Sequence, residues 1–322
     1  MEFRPCERQA PASGEIELRV RATGLNFRDV LQAMGLLESR YAEQLNLDAM
    51  PFGFECSGEV VAVGEGCTDW AVGDAAIAAV TPGSFSRYVT VPASTVVRKP
   101  EHINFEAAAT IPTAFLTAYY GLSRLADVKP GDRVLIHAAA GGVGMAAVQI
   151  AQHLGAEVFG TASPTKWDAL RSAGVRHIAS SRSLEFADAF FAATDGEGID
   201  VVLNCLSGEF VSKSLGLLKS GGRFIELGKR DLLSKDTLAE RYSHINYAAF
   251  DLGELAIASP DIVATMLAEL MPLFEGGTLT PLPQTTFAIE DTIAAFQYMQ
   301  QARHVGKIVL TQAPEREVEA GD

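Results

Sequence analysis

From Arg133 to Leu154 the chain reads RVLIHAAAGGVGMAAVQIAQHL: a short apolar run, a glycine cluster, then small and apolar residues at helical spacing. Few folds can use that order. Val134, Leu135 and Ile136 suit a strand buried on both faces, and Val143, Ala147, Ile150 and Ala151 recur as one face of a helix. Gly141, Gly142 and Gly144 omit the Cβ atoms that would hold the backbone away from a phosphate. A strand, glycine turn and helix in this order point amide N–H groups and a helix N-terminus at a dinucleotide pyrophosphate. The seat runs through Ala140, Gly141, Gly142, Val143 and Gly144. The strict fingerprint has glycine where this chain has Ala139, so a plain βα turn of small residues is the alternative.

The same style persists downstream. Strands at 157–162, 176–180, 200–205, 222–228 and 245–250 alternate with helices at 165–173, 184–193 and 209–219. Such alternation predicts an α/β fold with a Rossmann-type, doubly wound parallel sheet. Upstream the pattern differs. Ile16–Leu25 alternates apolar and charged residues, and Phe52–Gly66, Val72–Val80, Phe85–Val91 and Val96–Lys99 are short runs punctuated by Gly and Asp. These predict a small barrel or folded antiparallel sheet. Phe105–Leu125 is helical in pattern, broken at Pro112, and Asp261–Glu275 is a further helix. The segment 285–311 reads strand, helix, strand and returns to the first domain. The domains expected are therefore 1–112, a nucleotide-binding domain over 113–253, and a return with a charged, disordered tail over 254–322.

Composition limits the partners. A net charge of −14 over 322 residues argues against nucleic acid or an anionic membrane, which attract basic surfaces. No apolar run is long enough to span a bilayer, and residues 1–20 lack a signal-peptide core. Cys6, Cys56, Cys67 and Cys205 are scattered, without CxxC pairs or a His at ligand spacing. Neither a disulfide framework nor a metal site is expected, and a reducing cytoplasm suits such a chain. His137, inside a buried strand, reads as a hydrogen-bonded structural histidine.

Cofactor choice is written after the second strand of the parallel sheet, in EVFGTASPTKW. A domain built for NAD usually carries an acid there for the ribose 2′-hydroxyl. Here Ala162 and Ser163 occupy the strand end, with Lys166 close behind and Arg182 after the third strand. A hydroxyl and two cations suit a 2′-phosphate, which a carboxylate would repel. The reading is NADPH; the alternative is that Lys166 and Arg182 are merely solvated charges.

The separated segments GLNFRDVLQAMG (24–35), FGFECSGEVVAVG (52–64), AATIPTAFLTAYYGL (108–122), HAAAGGVGMAAVQIA (137–151), NCLSGEF (204–210), GGRFIELGKRD (221–231), YAAFDL (247–252) and ARHVGKIVL (302–310) carry a resemblance. The chain resembles the medium-chain dehydrogenase/reductase superfamily over nearly its whole length. More narrowly, it resembles the enoyl reductase domain of modular polyketide synthases. That implies a GroES-like, β-rich catalytic domain from both chain ends, a Rossmann-type domain between, and catalysis in the cleft. It also implies the zinc-independent branch, because Gly24–Asp29 stands where zinc-dependent relatives need soft or imidazole ligands. A further strand is implied ahead of Met1, and hence a piece cut from a longer multidomain synthase.

The family reaction implied is NADPH-dependent reduction of a 2-enoyl thioester on acyl carrier protein, with hydride to the β-carbon and a proton to the α-carbon. By the match, Lys229 and Asp251 lie near the nicotinamide as proton donor and its orienting partner; the alternative is an ion pair tying the last strands together. Cys205, Leu206, Gly228 and Gly306 are implied cofactor contacts, and Asn26 and Phe27 line the substrate and nicotinamide cleft, with a structural ion pair expected at Arg28. Many relatives have Tyr where this chain has Phe27, which has no donor. The resemblance therefore points away from the Tyr-dependent product configuration. The implied partners are an acyl carrier protein with its phosphopantetheine-linked chain and neighbouring synthase domains. Competing readings are a stand-alone quinone or enone reductase, a hydride-initiated ring closure on a halogenated enoyl chain, and a redox-inactive scaffold.

Overall fold

The computed structural model describes residues 8, 10–36, 51–228 and 232–313, so Lys229 and the charged tail at 314–322 lie outside the described residues. Among the described residues the strands are β1 (Glu15–Leu25), β2 (Glu55–Val63), β3 (Ala75–Ala79), β4 (Tyr88–Pro92), β5 (Val96–Arg98), β6 (Arg133–Ile136), β7 (Glu157–Ala162), β8 (His177–Ser180), β9 (Ile199–Asn204), β10 (Leu218–Glu226), β11 (Asn246–Ala249), β12 (Gln284–Ala288) and β13 (Lys307–Thr311). They fall into two compact units, 1–112 with 284–322, and 113–283.

The first unit is organised by β1. Along one edge it pairs with β2; along the other, Glu15–Arg19 pairs with β4 and Ala22–Leu25 pairs with β13. Register shifts against β2 at Glu17/Leu18 and Val20/Ala22 bend the strand, so that one chain serves two antiparallel neighbours. The seven-stranded sheet runs β12-β13-β1-β2-β3-β5 with β4 on β1. Ile16, Leu18 and Val20 alternate into a core with Val60, Val89 and Val91. At the other end of β1, Leu25 packs with Val30, Phe85, Phe296 and Ile308. This β-rich unit is drawn from both chain ends, as the resemblance implies.

The second unit is a six-stranded sheet in the order β11-β10-β9-β6-β7-β8, every neighbouring pair parallel. Counted along the chain that order is 3-2-1-4-5-6, the doubly wound dinucleotide topology. Leu135, Phe159, Val202 and Phe224 point from its strands into one core with Phe186 and Phe190.

Two features differ from the sequence reading. The second boundary, expected at 253/254, falls at 283/284. The reason is the helix Pro260–Glu275, whose Phe274 packs edge-on against Phe115 at 4.8 Å and whose Glu269 bridges to Arg124 at 2.6 Å, all within the nucleotide unit. The short helices Lys235–Arg241 and Leu252–Ala258 are also additional. The first buries no residue and so leaves no apolar period to read. Among the described residues no single helix is long and apolar enough to cross a membrane.

Candidate functional site

In a doubly wound sheet, ligands bind beyond the carboxyl ends of the strands, at the point where strand order reverses. Here that point lies between β6 and β9. After β6 the chain turns through Ala138, a non-glycine residue at φ 49°, a conformation costing an L-residue roughly 1–2 kcal/mol. The Gly141 N–H donates to the Ala138 carbonyl at 2.9 Å, closing the turn. Gly141 then opens the helix Gly142–His153, which has no side-chain cap. Its leading N–H groups are therefore left for an anion. A Cβ on Gly144 would run into the Ala138 carbonyl and the Ala139 backbone, so only glycine lets the helix start this close to the strand.

The alanine at the fingerprint position also has an account. Ala139 is fully buried, and a Cβ built on Gly160 of β7 would meet its methyl at 3.1 Å. The methyl gained in the turn after β6 is accommodated by the side chain missing from β7.

His137 is structural, as its position suggested. Ser214 Oγ donates to the Phe210 carbonyl at 2.7 Å, so it accepts from His137 Nε2 at 2.7 Å. That assignment leaves Nδ1 to accept from Thr161 Oγ1 at 2.9 Å. Burial pushes the imidazole down to about 3, which keeps it neutral.

Ser163 follows β7 directly, and its Oγ lies 3.3 Å from Thr165 Oγ1. Burial, and behind it the charge of Arg182, lowers the Lys166 ammonium. Arg182 is exposed, its N–H donating to Ser180 Oγ at 3.1 Å. Two cations this close favour an anion beside them.

Cys205 and Leu206 follow β9, Gly228 follows β10, and Asp251 follows β11. Asp251 Oδ1 accepts from the N–H groups of Gly253 and Glu254 at 2.9 and 3.0 Å, capping the helix Leu252–Ala258. Sequence reading missed this second task, although Asp251 and Glu254 stand at the spacing of a capping pair.

In the first unit, Asn26 precedes the helix Phe27–Ala33, and its N–H donates to Asp29 Oδ2 at 2.8 Å. Its amide Nδ2 donates to the backbone carbonyl of Gly24 at 3.3 Å and to Glu55 Oε1 at 2.8 Å, and its Oδ1 accepts from Lys307 Nζ at 2.8 Å. Lys307 also reaches Glu55 Oε1 at 2.5 Å and the Leu25 carbonyl at 3.1 Å. Both charges are buried, Lys307 at 4% exposure and Glu55 at 0%. Neither was singled out from sequence, though each is a charge inside an apolar strand run. Gly306, at φ 70°, turns the chain into β13 just before Lys307. Phe27 is 59% exposed. Arg28 lies over the Phe54 ring, 3.9 Å from its centroid, beside Asp29. Burial pushes the Asp29 carboxyl up to about 6 against its backbone hydrogen bonds and the charges of Arg28 and Lys307.

Residues 12–101 match the alcohol dehydrogenase GroES-like domain family, and 173–310 match the zinc-binding dehydrogenase family. Among solved structures, the CurK enoyl reductase is 47% identical with a TM-score of 0.93, covering 97% of this chain and 95% of its own. The chain belongs to the enoyl reductases of modular polyketide synthases. This enoyl reductase is also similar to the CurF ER cyclopropanase of the curacin A pathway, at 41% identity and a TM-score of 0.91 over 96% of this chain and 94% of that one. The pikromycin polyketide synthase component PikAII of Streptomyces venezuelae is 50% identical over 92% of this chain, which spans 8% of that protein. More distant neighbours, 26% identical, include a quinone oxidoreductase of Escherichia coli and a mycobacterial protein, both solved with NADPH, and the nucleotide unit is that of a nicotinamide-dependent dehydrogenase. Among the described residues of this enoyl reductase, no three His, Cys, Asp or Glu side chains are grouped to hold a metal ion.

Proposed function

We propose that the chain reduces the 2,3-double bond of an enoyl thioester carried on an acyl carrier protein, with NADPH, as one domain of a polyketide synthase. The observation that carries the reading is the row of site residues beyond the carboxyl ends of β6 to β11, in a chain 47% identical to an enoyl reductase. An uncapped helix N-terminus for a pyrophosphate, with Lys166 and Arg182 beyond the neighbouring strands, suits a nucleotide carrying a 2′-phosphate. When bound, NADPH supplies a hydride to the β-carbon of the enoyl chain.

What remains for the protein is to stabilise charge developing at the thioester oxygen and to deliver a proton to the α-carbon. Lys229 is proposed as that donor, through its ammonium. Asp251, its carboxylate anchored by two N–H groups at the start of a helix, is proposed to orient it. Asn26 and Phe27 are proposed to face the substrate. Phe27 carries no hydroxyl, so with an α-methyl substrate the product configuration is the one opposite to the Tyr-dependent outcome.

Two outcomes follow. Lys166→Ala is expected to weaken NADPH about 10- to 100-fold, the loss of a charge-assisted contact, and to leave NADH within about twofold. Equal losses for both, in a titration of cofactor fluorescence, would refute the phosphate assignment. Lys229→Ala and Asp251→Asn are each expected to slow turnover of crotonyl-pantetheine about 100-fold while NADPH still binds. Asn at 251 keeps an acceptor for the helix cap, so the charge is tested apart from the fold. Full activity in the double variant would remove both residues from the mechanism.

A further inference from the structure

Glu226, the last residue of β10, is buried to 1% exposure at the carboxyl edge of the parallel sheet. A carboxylate there is costly to retain unless its hydrogen bonds have a use. Its register partner is Asn204, the last residue of β9 and fully buried. Asn204 Nδ2 donates to Glu226 Oε2 at 2.7 Å and to the Leu206 carbonyl at 2.8 Å, while Asn204 Oδ1 accepts from the Leu206 N–H at 3.2 Å. Glu226 Oε1 accepts from the Gly228 N–H at 2.6 Å. The backbone joins the same knot: the Leu227 N–H donates to the Asn204 carbonyl at 2.8 Å, and the Phe250 N–H donates to the Glu226 carbonyl at 3.3 Å. One residue thus ties together the three turns that follow β9, β10 and β11. Those turns carry Leu206, Gly228 and Asp251.

We infer that Glu226, with Asn204, is a positioning residue that fixes the turns after β9 and β10 against each other at the nicotinamide end of the cofactor site. The inference rests on the reading of these turns as cofactor and substrate contacts. A carboxylate suits the task because both oxygens accept, so one takes the Gly228 N–H of the turn after β10 and the other the Asn204 amide, which itself holds Leu206 in the turn after β9. A glutamine has a single acceptor oxygen. With the same shape it satisfies one turn and sets its amide hydrogens against the N–H of the other. The 2′-phosphate residues follow β7 and β8 and share none of these bonds, so discrimination between NADPH and NADH should not change.

The test uses the whole chain, with E226Q and N204A compared with the parent below their unfolding temperatures. E226Q is expected to weaken NADPH and NADH by the same factor, about fivefold or more, and to lower kcat on crotonyl-pantetheine about tenfold or more. N204A should shift both quantities in the same direction by a smaller factor, and it decides the matter alone if E226Q does not fold. Parental kcat and parental cofactor affinity in the folded variants would overturn the inference. If the parent itself does not reduce crotonyl-pantetheine, the proposed reaction fails separately, and the cofactor affinities still decide the role of Glu226.

Discussion

Replacing Lys307 by Met is expected to destabilise the first unit by about 3–5 kcal/mol, because it strands a buried charge. The ammonium of Lys307 meets three acceptors, the Glu55 carboxylate, the Asn26 Oδ1 and the Leu25 carbonyl. Removing it leaves Glu55 fully buried without that counter-charge. The double variant Glu55→Leu with Lys307→Met removes both charges and should recover most of the loss, since a buried ion pair is often no more stabilising than an apolar pair of similar volume. Chemical denaturation of the parent, both single variants and the double variant gives the coupling energy directly. A Lys307→Met protein as stable as the parent would show that the pair carries no such load. The functional reach is Asn26: with Lys307 and Glu55 replaced, its amide loses two of its three partners just ahead of Phe27 and keeps the Gly24 carbonyl.

The second large effect is on pH dependence. His137 is neutral in the fold, with its pKa near 3 against 6.5 when exposed. A group whose pKa is depressed on folding contributes stability that is complete above 6.5 and lost as pH falls, up to about 5 kcal/mol by pH 3. Asp29 acts in the opposite sense. Its pKa is raised from 3.8 to about 6, so its contribution is complete below 3.8 and lost as pH rises through 6, about 3 kcal/mol in all. Between those limits the two oppose each other, and the parent protein should show a muted acid response from this pair. His137→Gln removes one arm. Relative to the parent, its unfolding free energy is expected to gain about 2 kcal/mol as pH falls from 6.5 to about 4.5. A constant difference between the two proteins across that range would contradict a buried, neutral His137.

Much of this architecture is legible in the sequence because it is written in local periods. The alternation of strands and helices after Arg133 gives the parallel sheet, and the turn after β6 lies where its glycines and small residues predict. What escapes is complementarity between segments distant in the chain. Ala139 makes sense only beside Gly160 on the next strand. Helix Pro260–Glu275 has an apolar face, but nothing in that face says that Phe115 will cover it, and the second domain boundary was misplaced for that reason. Asn26 was read by its neighbours Phe27 and Arg28, whereas its side chain answers to Glu55 and Lys307. Glu226 stands within GGRFIELGKRD, yet its bond to Asn204 arises only when β9 and β10 lie in register. Charged residues inside apolar strand runs were the available signal at Glu55, Glu226 and Lys307.

The proposed role of the site beyond β6 to β11 is to reduce an enoyl thioester. The most direct measurement is incubation of the protein with crotonyl-pantetheine and NADPH deuterated at the transferred position, followed by mass and position analysis of the product. The expected product is butyryl-pantetheine carrying one deuterium at the β-carbon, with matching oxidation of NADPH. Recovery of unreduced crotonyl thioester, alongside rapid NADPH oxidation with a free quinone, would contradict it.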